Sequence, residues 1–236
     1  KTNSNYSLTS ISDKALLINT INRQTSGTLD NTAFNTSLLW KHKFKKLART
    51  LTVNVTYNIS GTKSDSYLNS RNEYYKGGIL DNNDTTDLEN VRDNKTNSFS
   101  TNITYTEPLA KDLFLSFNYA FTLTNNVNER TSYSKDLNNK YNVRIDSLTN
   151  SYLFKQVNHK PGISFRMVKK KYNYSVGVAV SNTSFKQDNR TQNLLRKYSF
   201  TNFFPSASVY KKLSGNGGLR FNYNGSTRAP SLDQLQ

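Results

Sequence analysis

The sequence lacks cysteine entirely and has little proline, glycine or continuous hydrophobic sequence. Its 236 residues include no Cys, 4 Pro and 10 Gly. The absence of Cys excludes a disulfide framework and any thiolate metal site. The longest purely apolar run spans residues 15–18, far short of the ~20 residues that a membrane-spanning helix needs. The sequence therefore predicts neither a disulfide-stapled domain nor a helical membrane protein.

Hydrophobic residues are scarce overall, but aromatic residues are not. Only 34% of the chain is hydrophobic, which is low for a soluble protein that must bury a core. Aromatic residues reach 12%, with 15 Tyr and 13 Phe, whereas a disordered chain would be poor in them. A transmembrane β-barrel has this composition, because its lumen and loops are polar and one face of each strand meets lipid.

Apolar and polar residues alternate strictly over long stretches. Within residues 113–123 every odd position is apolar or aromatic, and most even positions are small or polar; Phe117 and Asn118 are the central pair. Successive side chains of a strand point to opposite faces, so this segment predicts a two-sided strand. Eight segments have this pattern, which predicts an all-β, antiparallel transmembrane barrel segment: 34–44, 51–60, 98–107, 113–124, 163–168, 172–183, 206–210 and 218–225.

The connections between these segments are of two kinds. Short turns are expected at about 45–50, 108–112, 169–171 and 211–217, and long polar stretches at about 1–33, 61–97, 125–160, 184–203 and 226–236. Outer-membrane barrels have short periplasmic turns and long extracellular loops. The sequence thus predicts periplasmic turns, extracellular loops and a location in the bacterial outer membrane.

Much of the positive charge lies near the short turns. Eleven of the 32 basic residues are there: Lys41, Lys43, Lys45, Lys46, Arg49, Lys111, Lys169, Lys170, Lys171, Lys211 and Lys212. Such a basic rim suits anionic lipid headgroups, so outer-membrane lipid is an expected partner. Single-strand nucleic-acid binders interleave charge with base-stacking aromatics, which here would face lipid. No nucleic-acid partner is expected.

The register also assigns side chains to environments. Eight polar residues are expected to face the lumen and hydrogen-bond a polar substrate or a plug: Asn54, Asn58, Asn102, Asn118, Arg166, Asn173, Arg220 and Asn222. Six aromatic residues near strand ends are expected at the membrane interface: Trp40, Tyr57, Tyr105, Tyr172, Tyr210 and Tyr223. Ordinary cross-strand packing in a soluble sheet is the alternative explanation for the aromatic set.

No feature of the sequence predicts catalysis or a metal site. The acidic group Asp81, Asp84, Asp87, Glu89 and Asp93 lacks the EF-hand pattern and is expected to lie in a solvated loop. No Gly-Xaa-Ser-Xaa-Gly, phosphate-binding loop or His-Glu-Xaa-Xaa-His motif occurs. The prediction is a non-enzyme with no catalytic residue, no metal and no cofactor.

The C-terminal stretch resembles a known family. Phe204, Pro205 and Ser206 precede a Lys-rich turn and a further strand, and Arg228, Pro230, Ser231, Gln234 and Leu235 follow that strand. This arrangement is similar to the barrel of TonB-dependent receptors of Bacteroidota. The similarity covers about 30 residues, and the alternation elsewhere agrees with it.

The resemblance implies a 22-stranded barrel with an N-terminal plug, energised through TonB. Such a receptor imports a nutrient such as a siderophore, glycan or peptide, sometimes with a surface lipoprotein as partner. The sequence contains neither a signal peptide nor a recognisable plug or TonB box, so we expect it to represent roughly a middle third of a receptor. TonB would then bind through a region outside this sequence.

Two other functions fit the strand pattern. A non-transporting outer-membrane barrel, with a structural, adhesive or complex-forming role, would have the same strands. A soluble all-β binding module would instead bury its apolar face inward and would purify without detergent.

Overall fold

A computed structural model describes residues 2–13, 16–213 and 217–227 of the chain. These residues form one antiparallel sheet of ten strands, with a single short 3-10 helix, Asp146–Leu148. No helix within the described ranges is long and apolar enough to cross a membrane.

The strands follow one another in chain order across the sheet. They are β1 (Thr2–Asp13), β2 (Leu16–Lys43), β3 (Thr50–Lys76), β4 (Ile79–Ala110), β5 (Leu113–Lys135), β6 (Tyr141–Arg144), β7 (Asn150–Val168), β8 (Tyr172–Asn189), β9 (Leu194–Lys212) and β10 (Gly218–Asn224). Each pairs with its neighbour, except that β5 pairs with β7 and the short β6 pairs with the end of β5. The sheet is open, and β1 and β10 are its outermost strands.

The cross-strand register gives the sheet two distinct faces. Phe117 of β5 lies opposite Tyr105 of β4 and Ile163 of β7. Asn118, the next residue, lies opposite Thr104 and Gly162. Directly opposed residues share a face, so we call the face of Phe117 the outer face and that of Asn118 the inner face.

The outer face carries a continuous apolar band. It consists of the outward residues within 34–40, 51–59, 99–105, 113–123, 157–167, 172–180, 203–209 and 219–223. Its side chains are open to the surroundings: Leu38 is 69% exposed and Phe221 is 61% exposed. The buried hydrophobic residues of the described chain are Leu88, Phe154 and Phe185, none of them in the band. An exposed apolar band of this extent indicates that a nonpolar environment covers it. The strand segments within the band also suit the ~9–11 residues of a tilted membrane strand.

The polar stretches expected as loops are largely strand, and this expectation was wrong. Residues 61–97 lie almost entirely in β3 and β4, which extend to a two-glycine tip at Gly77 and Gly78. Residues 1–33 form β1 and part of β2, and 184–203 belong mostly to β8 and β9. Residues 125–160 continue β5, then form β6 and the start of β7. Most of 226–236 lies outside the described residues. The sheet therefore has ten strands where alternation predicted eight.

The physical reason is that apolar and polar residues alternate along a strand only where one of its faces meets an apolar environment and the other a polar one. Beyond the apolar band neither face of a strand meets lipid, so either face accepts Asn, Ser, Thr or Lys and the period-two signal disappears. The backbone hydrogen-bond ladder does not depend on that signal. The pairing of β3 with β4 runs from Thr50 opposite Thr106 to Lys76 opposite Ile79.

The short turns all lie at one end of the sheet. There β2, β4, β7 and β9 end at Lys43, Ala110, Val168 and Lys212. Asp112, in the turn after β4, has φ of 66°, a left-handed conformation that Asp and Asn adopt more readily than most residues. The chain folds back within a few residues at each of these turns, which keeps the basic side chains together along this rim.

Candidate functional site

The inner face collects all eight residues that were expected to face the lumen. Asn54 lies directly opposite Asn102, and Asn222 opposite Ser208. Asn118 accepts a hydrogen bond of 2.9 Å from the Thr104 hydroxyl. The other members, Asn58, Arg166, Asn173 and Arg220, share this face by register. Their contact with a substrate or plug stays a prediction.

A concavity of about 470 Å³ opens on this face over β4, β5 and β7–β10. Its floor is made of the small residues Ala120, Gly162, Gly177 and Ala179. A larger residue on this floor would collide with the neighbouring strand, because a Cβ added at Gly177 would lie 2.8 Å from the Ser164 Cβ atom. The glycines thus let neighbouring strands approach closely and leave space above them.

A second concavity, of about 460 Å³, lies beside the first and is lined by aromatic and amide side chains. Phe185 and Phe200 are 5.9 Å apart between ring centroids. Both concavities are lined by Lys160 and Phe204, whose Nζ atom and ring centroid are 3.9 Å apart. Aromatic surfaces with a few convergent polar groups are the usual lining of a small-molecule site.

Phe185 and Phe200 are inner-face aromatics that were not among the residues expected on this face. Phe185 is only 3% exposed, and its ring centroid lies 5.6 Å from that of Phe154. All three rings lie on the face expected to be polar. Continuing the alternation from Ser181 and Thr183 along β8 would have placed Phe185 on this face.

Five of the six expected interface aromatics lie on the outer face, and one does not. Trp40, Tyr57, Tyr105, Tyr172 and Tyr223 have the outward register. Tyr210 lies opposite Asn173 and Arg220 on the inner face, and the Arg220 guanidinium lies 5.5 Å from its ring centroid. Its assignment to the lipid interface was wrong, because the neighbouring Val209 occupies the outward position.

The acidic group expected in a solvated loop lies instead in β4. Asp87 accepts a hydrogen bond from the Tyr141 hydroxyl and pairs with Lys135 at 2.7 Å. Asp93 pairs with Lys95 at 3.2 Å. The contacts of Asp87 join β4 to β5 and β6, and Lys63 of β3 also pairs with Asp93, at 3.8 Å. These carboxylates therefore link neighbouring strands beyond the apolar band.

A further carboxylate of this hairpin changes the ionisation of a tyrosine. The hydroxyl of Tyr67 donates a hydrogen bond of 2.9 Å to Glu89. This bond raises the pKa of Tyr67 to about 12, because losing the proton would place an anion against a carboxylate. Tyr67 is therefore a neutral donor throughout the physiological range.

Glu107 accepts hydrogen bonds that join neighbouring elements at the short-turn rim. It accepts hydrogen bonds from Lys46 Nζ at 2.6 Å and from Arg49 Nε at 2.7 Å, and the Tyr105 hydroxyl donates to it at 2.6 Å. The bonds from Arg49, Lys46 and Tyr105 lower the pKa of Glu107 to about 2. The turn between β2 and β3 is thereby linked to β4, across the intervening strand.

The rim contact predicts a defined pH dependence. Because the pKa of Glu107 is lowered from an ordinary 4.5 to about 2, its stabilising effect is complete above pH 4.5 and is lost as the pH falls toward 2. Glu107→Gln should lower the denaturant midpoint of the detergent-refolded barrel equally at pH 7 and pH 5. The difference from wild type should shrink below pH 4.5 and vanish near pH 2. A difference that stays constant down to pH 2 would contradict the ionic contact.

The described sheet defines a class of protein. Long antiparallel strands, an exposed apolar band on one face and a polar face with concavities on the other are the features of a membrane-barrel wall. Residues 42–236 match the profile of the Outer membrane protein beta-barrel family. The chain belongs to that family, and its location is the bacterial outer membrane.

One solved structure with a similar arrangement is the crystal structure of the ferric citrate transporter FecA in its unliganded form. The two chains are 10% identical and superpose with a TM-score of 0.48 over 95% of this chain and 39% of that one. The chain thus spans well under half the length of that transporter. Comparison with curated proteins gives no match.

Proposed function

We propose that the chain forms part of the wall of a TonB-dependent transporter that imports a polar nutrient across the outer membrane. The observation that carries the proposal is the inner face, where two adjoining concavities of about 470 and 460 Å³ lie behind an apolar outer band. A purely structural barrel wall has no need of concavities lined by convergent amide and aromatic groups. The Phe204-Pro205-Ser206 segment, which resembles receptors of Bacteroidota, lies in β9 and borders both concavities; the rest of that motif, 228–236, lies outside the described residues.

Further strands are required in this proposal. Residues 30–43, the part of β2 nearest the short turns, and the strand β10 each have one edge without a partner strand in the described sheet. Unpaired backbone groups are very costly in lipid, so additional strands of the receptor pair with both edges. A barrel of about 22 strands would also accommodate a plug, whereas eight to ten strands leave room for little beyond side chains. The short-turn rim is then periplasmic, and the projecting hairpins are extracellular.

The test uses the full-length gene in its native host. Spent medium from wild type, a receptor deletion and a TonB deletion is compared by mass spectrometry for solutes that only wild type removes. We expect at least one polar solute to be depleted by wild type and spared by both deletions. Depletion that needs the receptor but not TonB would contradict energised import. No receptor-dependent depletion in any medium would favour a structural or adhesive barrel.

A further inference from the structure

Charge is segregated between the two faces of the sheet beyond the apolar band. Acidic side chains of β3–β8 that point outward include Asp65, Asp87, Glu89, Asp93, Glu129 and Asp188. On the inner face, the register places Asp84, near the tip of the β3–β4 hairpin. Cations on that inner face include Arg23, Arg92, Arg130 and Arg196. The inner face therefore carries an excess of positive charge.

The salt bridges of the described residues likewise lie away from the inner face. In the described ranges, salt bridges join outward or turn residues, as in Lys63 with Asp93, Lys95 with Asp93 and Lys135 with Asp87. Neither Arg92 nor Arg130 takes part in such a pair there. The outward cations Lys63, Lys95 and Lys135 are thus paired with carboxylates of the protein, whereas these two inward guanidinium groups are not.

Arg92 and Arg130 lie directly opposite each other on β4 and β5. Like charges in that position repel and destabilise a sheet unless something compensates them. Arg130 Nη2 donates to Asn90 Oδ1 at 3.0 Å, which holds the group in place. Its Nε atom is buried and has no hydrogen-bond partner, an arrangement that is costly in the absence of an acceptor.

Arg92 also lines a small concavity of about 240 Å³ at the β1–β3 side of this pair. Asn3, Asn5, Ser64 and Ser66 supply amide and hydroxyl groups to it. Gly27 lies among these residues, and a Cβ there would come within 2.4 Å of the Asp65 carbonyl oxygen. A guanidinium with several neutral hydrogen-bonding groups around it suits a carboxylate or phosphate group.

We propose that the inner face of the projecting wall binds an anionic solute, with a carboxylate or phosphate group held by Arg92 in the concavity floored by Gly27 and with Arg130 adding its charge from the neighbouring strand. This inference rests on the proposed function for the view that solute meets the inner face, and it specifies the chemical class of that solute. The anion offsets the repulsion of the two guanidinium groups. The concavity lies beyond the apolar band, so the solute meets it before the deeper concavities around Lys160.

The test is calorimetric titration of the detergent-solubilised full-length receptor with inorganic pyrophosphate at low ionic strength. Arg92→Gln should weaken pyrophosphate binding about tenfold or more, the scale of one lost charge-assisted contact. Arg130→Gln, which removes the charge directly opposite Arg92, should weaken binding to a smaller extent, but by more than the outer-face control. The matched control is Lys95→Gln, which removes the same charge three residues from Arg92 but on the outer face, where Lys95 pairs with Asp93. Its effect should stay below about twofold, because a distant exposed charge is screened.

Two results would overturn the anion site. One is a wild-type receptor, shown to be folded by its heat-modifiable gel mobility, that does not bind pyrophosphate. The other is an equal loss of binding in Arg92→Gln and Lys95→Gln, which would indicate general attraction to a basic protein. Binding is measured without TonB, so these results leave the import proposal standing, and a failure of TonB-dependent depletion would leave the binding site standing.

Discussion

Phe117→Arg is expected to destabilise the inserted barrel by ~2–4 kcal/mol, the cost of an arginine on the lipid face near the bilayer midplane. Phe117 lies near the centre of the apolar segment of β5, and it is 47% exposed on the outer face between Tyr105 and Ile163. The substitution replaces an aromatic ring by a guanidinium that lipid cannot solvate. Denaturant titration of the full-length receptor in lipid vesicles measures the change.

The control for this prediction is the neighbouring residue. Asn118→Arg adds the same side chain one position along, but toward the inner face, beside a concavity of about 470 Å³. The new guanidinium can reach water there, so we expect a change below about 1 kcal/mol, as for surface positions generally. Equal destabilisation by the two variants would mean that the faces of β5 are wrongly assigned.

Gly27→Ala is expected to destabilise the projecting wall by ~1–3 kcal/mol, the usual cost of forcing an extra group into packed structure. The added Cβ would lie 2.4 Å from the Asp65 carbonyl oxygen and 2.8 Å from the Ser66 Cα atom. Both are backbone atoms, so β2 and β3 would have to separate locally. Hydrogen exchange of the β2–β3 peptides, measured in the full-length receptor, would show the loss of protection.

Gly61→Ala is the matched control for this substitution. Its Cβ would approach the Thr32 hydroxyl at 2.8 Å, a side-chain atom that can rotate away. Reduced freedom of the unfolded chain favours Ala over Gly, so the net change should lie within about 1 kcal/mol of zero. If both glycine variants lose protection to the same extent, the close approach at Gly27 is not what limits the wall.

The part of the fold that lies within the apolar band was predictable from sequence. There the surroundings impose a period of two, and residues such as Phe117 and Asn118 reveal their faces by type alone. Outside the band that constraint is gone. Residues 61–97 therefore look like a loop in sequence while forming two paired strands, with one register shift between Tyr74 and Tyr75. No local property of Asn, Ser and Thr distinguishes the two states.

The candidate site was predictable in part, for a related reason. Asn102 and Asn118 follow from alternation. Phe185 does not, because its apolar side chain is typical of the outer face whereas its register places it on the inner face. The opposition of Arg92 and Arg130 depends on the pairing register of β4 with β5 across 38 residues of chain. Such a register is set by the whole hairpin and cannot be deduced from either strand alone.

The most direct test of the central claim is the accessibility of β5 in the membrane. Because the chain has no Cys, single cysteines at residues 115–122 can be spin-labelled without background from this segment and measured in vesicles with oxygen and a water-soluble nickel complex. We expect oxygen accessibility to peak at 115, 117, 119 and 121, and nickel accessibility to peak at 116, 118, 120 and 122. Accessibility without a period of two, or with the opposite phase, would contradict an outer face that meets lipid.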